Sequence, residues 1–184
     1  MIDVHLLTLP EDRQDWFDQC IRSLQGQPIT LHVLAGIRGH IGRARDAGFS
    51  IGTNPYVSLV DPDDWVTPNG FVDCLSLLKA FPELDGAYTA EDQCYQDRQG
   101  WRIVRKDPQK GSRVHHLLVL KRSVYERYRD DLLLEPQYPE RRMVSHMARD
   151  GVKLGYTGTI GYCWRRYQKR FGETHGTLGR TGSE

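Results

Sequence analysis

The sequence predicts an α/β domain, a mostly parallel central sheet flanked by helices with a smaller antiparallel part. Three observations predict it. Apolar, β-prone runs alternate with helical periodicity three times in the first 81 residues, the order that builds a parallel sheet. The third run, Tyr56-Val57-Ser58-Leu59-Val60, passes directly into Asp61-Pro62-Asp63-Asp64, so carboxylates gather where an open sheet offers its binding edge. The later strand-like segments are more loosely connected and read as antiparallel. At 184 residues, 39% of them hydrophobic and 27% charged, the chain can bury one core and is too short for two ordinary ones. We read 1–171 as a single domain and 172–184, rich in Gly and Thr, as a loose tail.

The first strand spans 4–9 and stops at Pro10. Over 11–25, Trp16, Phe17, Cys20, Ile21 and Leu24 fall on one helical face, with acidic residues early, where the helix dipole favours them. A second strand follows at 29–34. Gly36, Gly39 and Gly42 interrupt the chain before a short helix at 41–49. After the third strand, 56–60, Thr67-Pro68 opens a helix whose apolar stripe is Phe71, Leu75, Leu78 and Phe81, ended by Pro82. Further strands are expected at 86–89, 101–104, 116–120 and 153–156, and short helices at 123–129 and 141–149. There is no internal repeat.

No apolar run is long enough to span a bilayer, and the acidic N-terminus lacks a signal peptide's features, so a cytoplasmic setting is expected. Cys20, Cys74, Cys94 and Cys163 form no CxxC pair, which gives a zinc or redox motif little support and favours free, partly buried thiols. The net charge of +1 conceals an asymmetry. Residues 1–97 hold 6 Lys/Arg against 15 Asp/Glu, a net of −9, and residues 98–184 hold 19 against 9, a net of +10. Either the second half faces something anionic or the halves neutralise each other across the fold.

Asp61 and Asp63 stand two apart across the stiff Pro62, so both can reach one hard cation, or a cation and a ribose hydroxyl. Their mutual repulsion is relieved by a divalent ion. The bare Asp-x-Asp pattern also occurs in turns and helix caps, and Asp64 or Thr67 can cap the next helix.

The neighbourhood is more specific. Gly42-Arg43-Ala44-Arg45-Asp46-Ala47-Gly48-Phe49, followed by Pro55-Tyr56-Val57-Ser58-Leu59-Val60-Asp61-Pro62-Asp63-Asp64-Trp65-Val66-Thr67-Pro68, closely resembles the core of family 2-like glycosyltransferases with the GT-A fold. That core has an Ala-Arg-Asn-x-Gly helix, an apolar strand and an Asp-x-Asp-Asp-x-x-x-Pro turn. Fainter resemblance continues through Val119-Leu120-Lys121-Arg122-Ser123-Val124-Tyr125, then Gly151-Val152-Lys153-Leu154-Gly155-Tyr156 and Trp164-Arg165-Arg166.

The resemblance implies metal-dependent transfer of a hexosyl unit from a nucleotide-sugar, a UDP-sugar first, to an acceptor hydroxyl, with inversion as the first reading and retention of configuration left open. It assigns 1–97 to the nucleotide-sugar and 98–171 to the acceptor side. Asp61 would lie near the donor ribose and metal. Asp63 would hold Mg²⁺ or Mn²⁺ against the diphosphate, and Asp64 would orient metal-bound water or the sugar. Thr8, Leu9 and Pro10 would wall the base, and Arg45 would position the nucleotide or brace the acidic turn.

Two departures mark a short, trimmed version. The family's Glu-Asp pair, which carries the general base, falls here on Pro139 and Glu140. Glu140 is the first candidate base and Glu135 the second, while a plain helix N-terminus is the other reading of Glu140. After the second strand, Val33-Leu34-Ala35-Gly36-Ile37-Arg38-Gly39 lacks the family's acidic turn, so these residues do not specify uridine. Two rivals stand beside this reading. A nucleotidyltransferase would need a phosphate loop that Leu9-Pro10-Glu11-Asp12 lacks; a non-catalytic binding module would explain the missing Glu-Asp pair.

Between 98 and 122 there are 8 Lys/Arg and one acid, Asp107, with Trp101, His115 and His116 interleaved. Arg165, Arg166, Lys169 and Arg170 lie beside Trp164 and Tyr167. Such groups suit a phosphate-bearing acceptor, and we take Trp101, His115, His116, Trp164, Arg165 and Arg166 as acceptor-side candidates. A solvated basic surface, part of it holding the donor diphosphate, is the alternative. Acceptors that fit are a nucleic acid with hydroxymethylated bases, as in some bacteriophage DNA, an anionic polysaccharide, and a lipid-linked glycan.

Overall fold

The structure is a computed structural model and describes residues 1–97, 100–106, 116–134 and 139–167. Strand β1 (Ile2–Thr8) leads through helix α1 (Gln14–Leu24) to β2 (Ile29–Ala35), then α2 (Ile41–Phe49), β3 (Tyr56–Val60), β4 (Trp65–Val66) and α3 (Gly70–Ala80). The second half contains β5 (Gly86–Asp97), β6 (Gly100–Lys106), β7 (Leu118–Lys121), α4 (Arg122–Leu134), α5 (Pro139–Arg149) and β8 (Leu154–Tyr167). The strands form one sheet in the order β2-β1-β3-β7-β5-β8-β4, with β6 beside β5. Strands β1, β2, β3, β5 and β8 share one direction, and β4, β6 and β7 run against them. The expected mostly parallel sheet with a smaller antiparallel part is what forms.

Strand alternation decides which helices cover which face. Ile2, Val4 and Leu6 are fully buried beside Cys20 and Leu24 of α1 and Phe71, Cys74, Leu75 and Leu78 of α3. Truncating a side chain such as Phe71 would cost about 3–5 kcal/mol. On the other face, Val57, Leu59 and Leu120 pack with Phe49, Val124, Tyr128, Leu132, Met143 and Met147 of α2, α4 and α5. Burial on both faces is why these strands read as near-continuous apolar runs. His5 faces α2, where a Cβ on Gly48 would come within 2.5 Å of its Cγ, so glycine is what lets this helix lie against β1.

A buried ionic knot closes the opposite end of the sheet. Asp3 accepts from Arg122 Nη2 at 2.6 Å and from the Asn54 backbone at 2.8 Å, with His32 Nε2 at 3.0 Å. Arg122 thus ties the start of α4 to β1.

The second half departs from the sequence reading in extent. β5 continues well past 89 and β8 well past 156, β4 was not expected, and the strand expected at 116–120 begins at Leu118, leaving His116 ahead of it. The causes are local. Glu91 and Gln93 are polar yet buried, and Gly155, Gly158 and Gly161 interrupt the apolar period of β8. Gly161 is required by packing, since its Cβ would come within 2.5 Å of Thr89. Between Tyr88 and Glu91 the β5/β8 register shifts, an irregularity that re-aims the side chains beyond it. The four cysteines are buried and free. No helix among the described residues is long and apolar enough to cross a membrane. The tail assigned to 172–184 lies outside the described residues.

Candidate functional site

The acidic turn leaves the C-terminal end of β3 and is clamped from below by β8. Asp64 N donates to the Asp61 carbonyl at 3.2 Å, closing the turn. Trp65 and Val66 then pair antiparallel with Cys163 and Tyr162. Asp64 is buried, accepting from the Tyr162 hydroxyl at 2.8 Å and the Arg165 backbone N–H at 2.7 Å. Tyr162 Oη also accepts from Asp61 N at 3.2 Å. Arg165 Nε donates to the Asp63 carbonyl at 2.7 Å and its Nη2 to Gln19 at 2.6 Å, with the guanidinium between Trp16 and Trp65. Arg165, an acceptor-side candidate by sequence, is therefore a buried brace beneath the turn.

Three distant segments converge above it. The buried Arg45 donates from Nη2 to Asp61 Oδ1 and from Nε to Glu140 Oε1, the latter at 2.7 Å. One guanidinium thus joins the turn to the first turn of α5, 95 residues away. From the β5 side, His116 lies with Nδ1 2.8 Å from Glu91 Oε2, stacked on Tyr162 at 5.1 Å and tilted against Trp164 at 4.7 Å. One ligand atom from each of Asp61, Asp64 and His116 lies within 4.8 Å of the others. Asp63, half-buried, stands outside that group.

The electrostatics follow from this crowding. Burial opposes ionisation of Asp61, but the Arg45 charge and then His116 outweigh it and hold the carboxyl below the usual carboxylate range. Burial, then the Asp63 charge, pushes Asp64 well above that range. Burial alone would lower His116, yet the Glu91 hydrogen bond and the Asp64 charge raise it to about 9. The hydrogen bond to Glu91 and the ionised Asp61 thus favour the charged form of His116.

That shift makes a stability prediction. A histidine raised from 6.5 to about 9 on folding stabilises fully below about pH 6.5, and its contribution disappears as pH rises through 9. Urea denaturation of the metal-free protein should show stability declining across this interval. In His116→Gln that component of the decline should be absent.

The remaining sequence candidates sit as follows. Thr8 and Leu9 are half-buried and Pro10 exposed at the end of β1. Gly36 N donates to the Thr8 carbonyl at 2.8 Å and Leu9 N to Asp12 Oδ2 at 2.7 Å, which fixes this edge beside β2. Arg166 lies over the Trp164 ring at 4.1 Å. Trp101 pairs through its backbone with Gln96 on β5. His115 and Glu135 lie outside the described residues. Sequence reasoning missed Tyr162, whose hydroxyl joins Asp61 to Asp64, and Glu91, which orients His116. Glu91 had one signal, a carboxylate inside a strand that otherwise reads as buried.

The clustered carboxylates lie at the ends of parallel strands, the edge at which open α/β sheets bind their ligands. Comparison with known structures sharpens this. TarS 1–349 of S. aureus superposes with a TM-score of 0.66 at 11% identity, over 89% of this chain and 60% of TarS 1–349. The UDP complex of the same protein gives 0.69 at 11% identity, over 90% and 60%. The UDP-GlcNAc complex gives 0.66 at 10%, over 92% and 59%. The fold is the GT-A glycosyltransferase fold. The chain spans about 60% of the length of these TarS 1–349 structures. No protein-family model and no curated protein sequence matches it.

Proposed function

We propose that the protein is a metal-dependent glycosyltransferase that moves a hexosyl unit from a nucleoside-diphosphate sugar to an acceptor hydroxyl with inversion. The observation that carries this reading is the convergence of Asp61, Asp64, His116, Arg45 and Glu140 at the strand ends. TarS, which shares the fold, is seen with UDP and with UDP-GlcNAc, so a UDP-sugar is the first donor to test. Thr8, Leu9 and Pro10 would wall the base.

The residues fit a divalent ion. Two carboxylates and an imidazole within 4.8 Å of one another form an oxygen-rich donor set with one nitrogen, suited to Mn²⁺ and, less well, Mg²⁺. Glu91 holds Nδ1 of His116, so Nε2 is the ligating atom, the usual carboxylate-histidine support for a metal ligand. The ion would neutralise the charge developing on the departing diphosphate. Asp63 remains a candidate ligand, because its spacing from Asp61 led the sequence reading to that pair. Arg45 holds Asp61 in place, Asp64 and Tyr162 fix the turn, and Glu140 takes the proton from the acceptor hydroxyl. The acceptor is an anionic chain, hydroxymethylated DNA or a charged glycan, in a cytoplasmic setting.

The test is incubation with a panel of nucleotide-sugars and Mn²⁺, measuring free nucleoside diphosphate. Release dependent on Mn²⁺ supports the proposal. Pyrophosphate release would indicate a nucleotidyltransferase, and no turnover with any donor would indicate a binding module.

A further inference from the structure

Beyond the bulge, the paired strands carry a row of side chains away from the acidic turn on the same sheet face as His116. The register places Glu91 beside Tyr162, Gln93 beside Trp164, and Tyr95 beside Arg166, while β6 sets Arg102 on the other side of Tyr95. At the far end, Arg102 lies over the Tyr95 ring at 4.8 Å and Arg166 over the Trp164 ring at 4.1 Å. The Tyr95 hydroxyl donates to Gln93 Oε1 at 2.9 Å, and His116 lies tilted against Trp164 at 4.7 Å. Among the described residues neither Arg102 nor Arg166 has a carboxylate partner.

A guanidinium stacked on a ring keeps its N–H donors in plane and pointing outward, so stacking pre-orients it for a bidentate anion. Two such forks flank one strand, about 10 Å apart at the backbone from the spacing of neighbouring strands. Each ring has its arginine over one face, so on that side the surface offers directed charge rather than a bare stacking platform. In sequence the two arginines have further basic neighbours, Arg98, Arg105 and Lys106 around Arg102 and Lys169 and Arg170 after Arg166, which suits a long polyanion better than a single phosphate.

We propose that Arg102 and Arg166 form a clamp for the phosphodiester backbone of a nucleic-acid acceptor, leading the strand toward His116 and the acidic turn. The clamp rests on the glycosyltransferase reading for its purpose, but its binding can be measured alone. It grips backbone and leaves base selection to the site itself.

The experiment is fluorescence anisotropy with a short fluorescein-labelled single-stranded DNA, between about 50 and 200 mM salt. Calorimetry of UDP with Mn²⁺ is run in parallel. The Arg102→Ala/Arg166→Ala double variant should lose at least about tenfold in DNA affinity. Its salt slope should fall by about 1.4, at about 0.7 per phosphate released from a single strand, and UDP affinity should be unchanged. Arg102→Lys/Arg166→Lys should restore the slope, which separates charge from misfolding. Unchanged DNA affinity in the Ala variant overturns the proposal. A matching loss of UDP affinity also overturns it, by assigning the arginines to the donor diphosphate. Tighter binding of heparin than of DNA overturns it in favour of an anionic polysaccharide. DNA binding that obeys the prediction in a protein that binds no UDP upholds the clamp and removes a UDP-sugar as the donor.

Discussion

Asp61→Asn should abolish Mn²⁺-dependent UDP binding and lower sugar transfer by about 10³-fold or more, while the chain stays folded. The magnitude follows from the several kcal/mol that a cation contributes at a leaving diphosphate, at about 1.36 kcal/mol per tenfold in rate. Folding should survive because the turn has independent supports: Tyr162 and the Arg165 backbone hold Asp64, and the Arg165 side chain holds the Asp63 carbonyl. Asparagine can still accept from Arg45, so the buried guanidinium keeps two partners. Calorimetric titration of UDP in the presence of Mn²⁺ reads the loss, and unchanged affinity would refute the assignment of Asp61 to the metal. The same titration with Asp63→Ala and His116→Gln settles the rest of the ligand set. An Asp63→Ala loss as large as that of Asp61→Asn supports the pair suggested by spacing; a large His116→Gln loss supports the group of Asp61, Asp64 and His116.

The difference between those two ligand sets shows what sequence could convey. The first half was legible because each of its elements carries its own signal. The helix at 41–49 and the strand at 56–60 appear at the expected positions, since local apolar period and local glycines decide them. The acidic turn was legible as a cluster, but which carboxylates meet was not. A spacing of two residues suggests that Asp61 and Asp63 point together. In the fold, Arg165 takes the Asp63 carbonyl while Tyr162 and the Arg165 backbone draw Asp64 inward. Those partners lie about a hundred residues downstream, so no local pattern reveals them.

The second half was less legible for a related reason. β5 and β8 hold one another as long strands by parallel pairing over Ala90–Gln96 and Ile160–Tyr167, so each is fixed by the other rather than by its own composition. His116 was singled out for the basic company it keeps in sequence, and Glu91 was not noticed. Their 2.8 Å contact joins residues 25 apart in the chain, so no local pattern reveals it. Glu140 was located by counting from Gly151. What counting could not supply is Arg45, which makes Glu140 and Asp61 two ends of one bridge.

That bridge sets the terms of the second large effect, Glu140→Gln. A general base needs an oxygen facing the acceptor, and only Oε1 of Glu140 is held by Arg45; Oε2 has no hydrogen bond among the described residues. The same guanidinium also bonds Asp61. Glu140→Gln preserves shape and removes the carboxylate that would accept the proton. kcat should fall by about 10²- to 10⁴-fold, with UDP–Mn²⁺ affinity unchanged. The acidic limb of the kcat/KM profile, which reports deprotonation of the base, should disappear. A purely structural Glu140 predicts the reverse pattern: glutamine still accepts from Arg45, so kcat and the pH profile would stay near those of the unaltered protein. Glu140→Ala would then lower thermal stability by removing one of the two carboxylate partners of the buried Arg45. Turnover of Glu140→Gln within about threefold of normal, which is below the range for losing a general base, would make the residue a brace and leave the proton to another group.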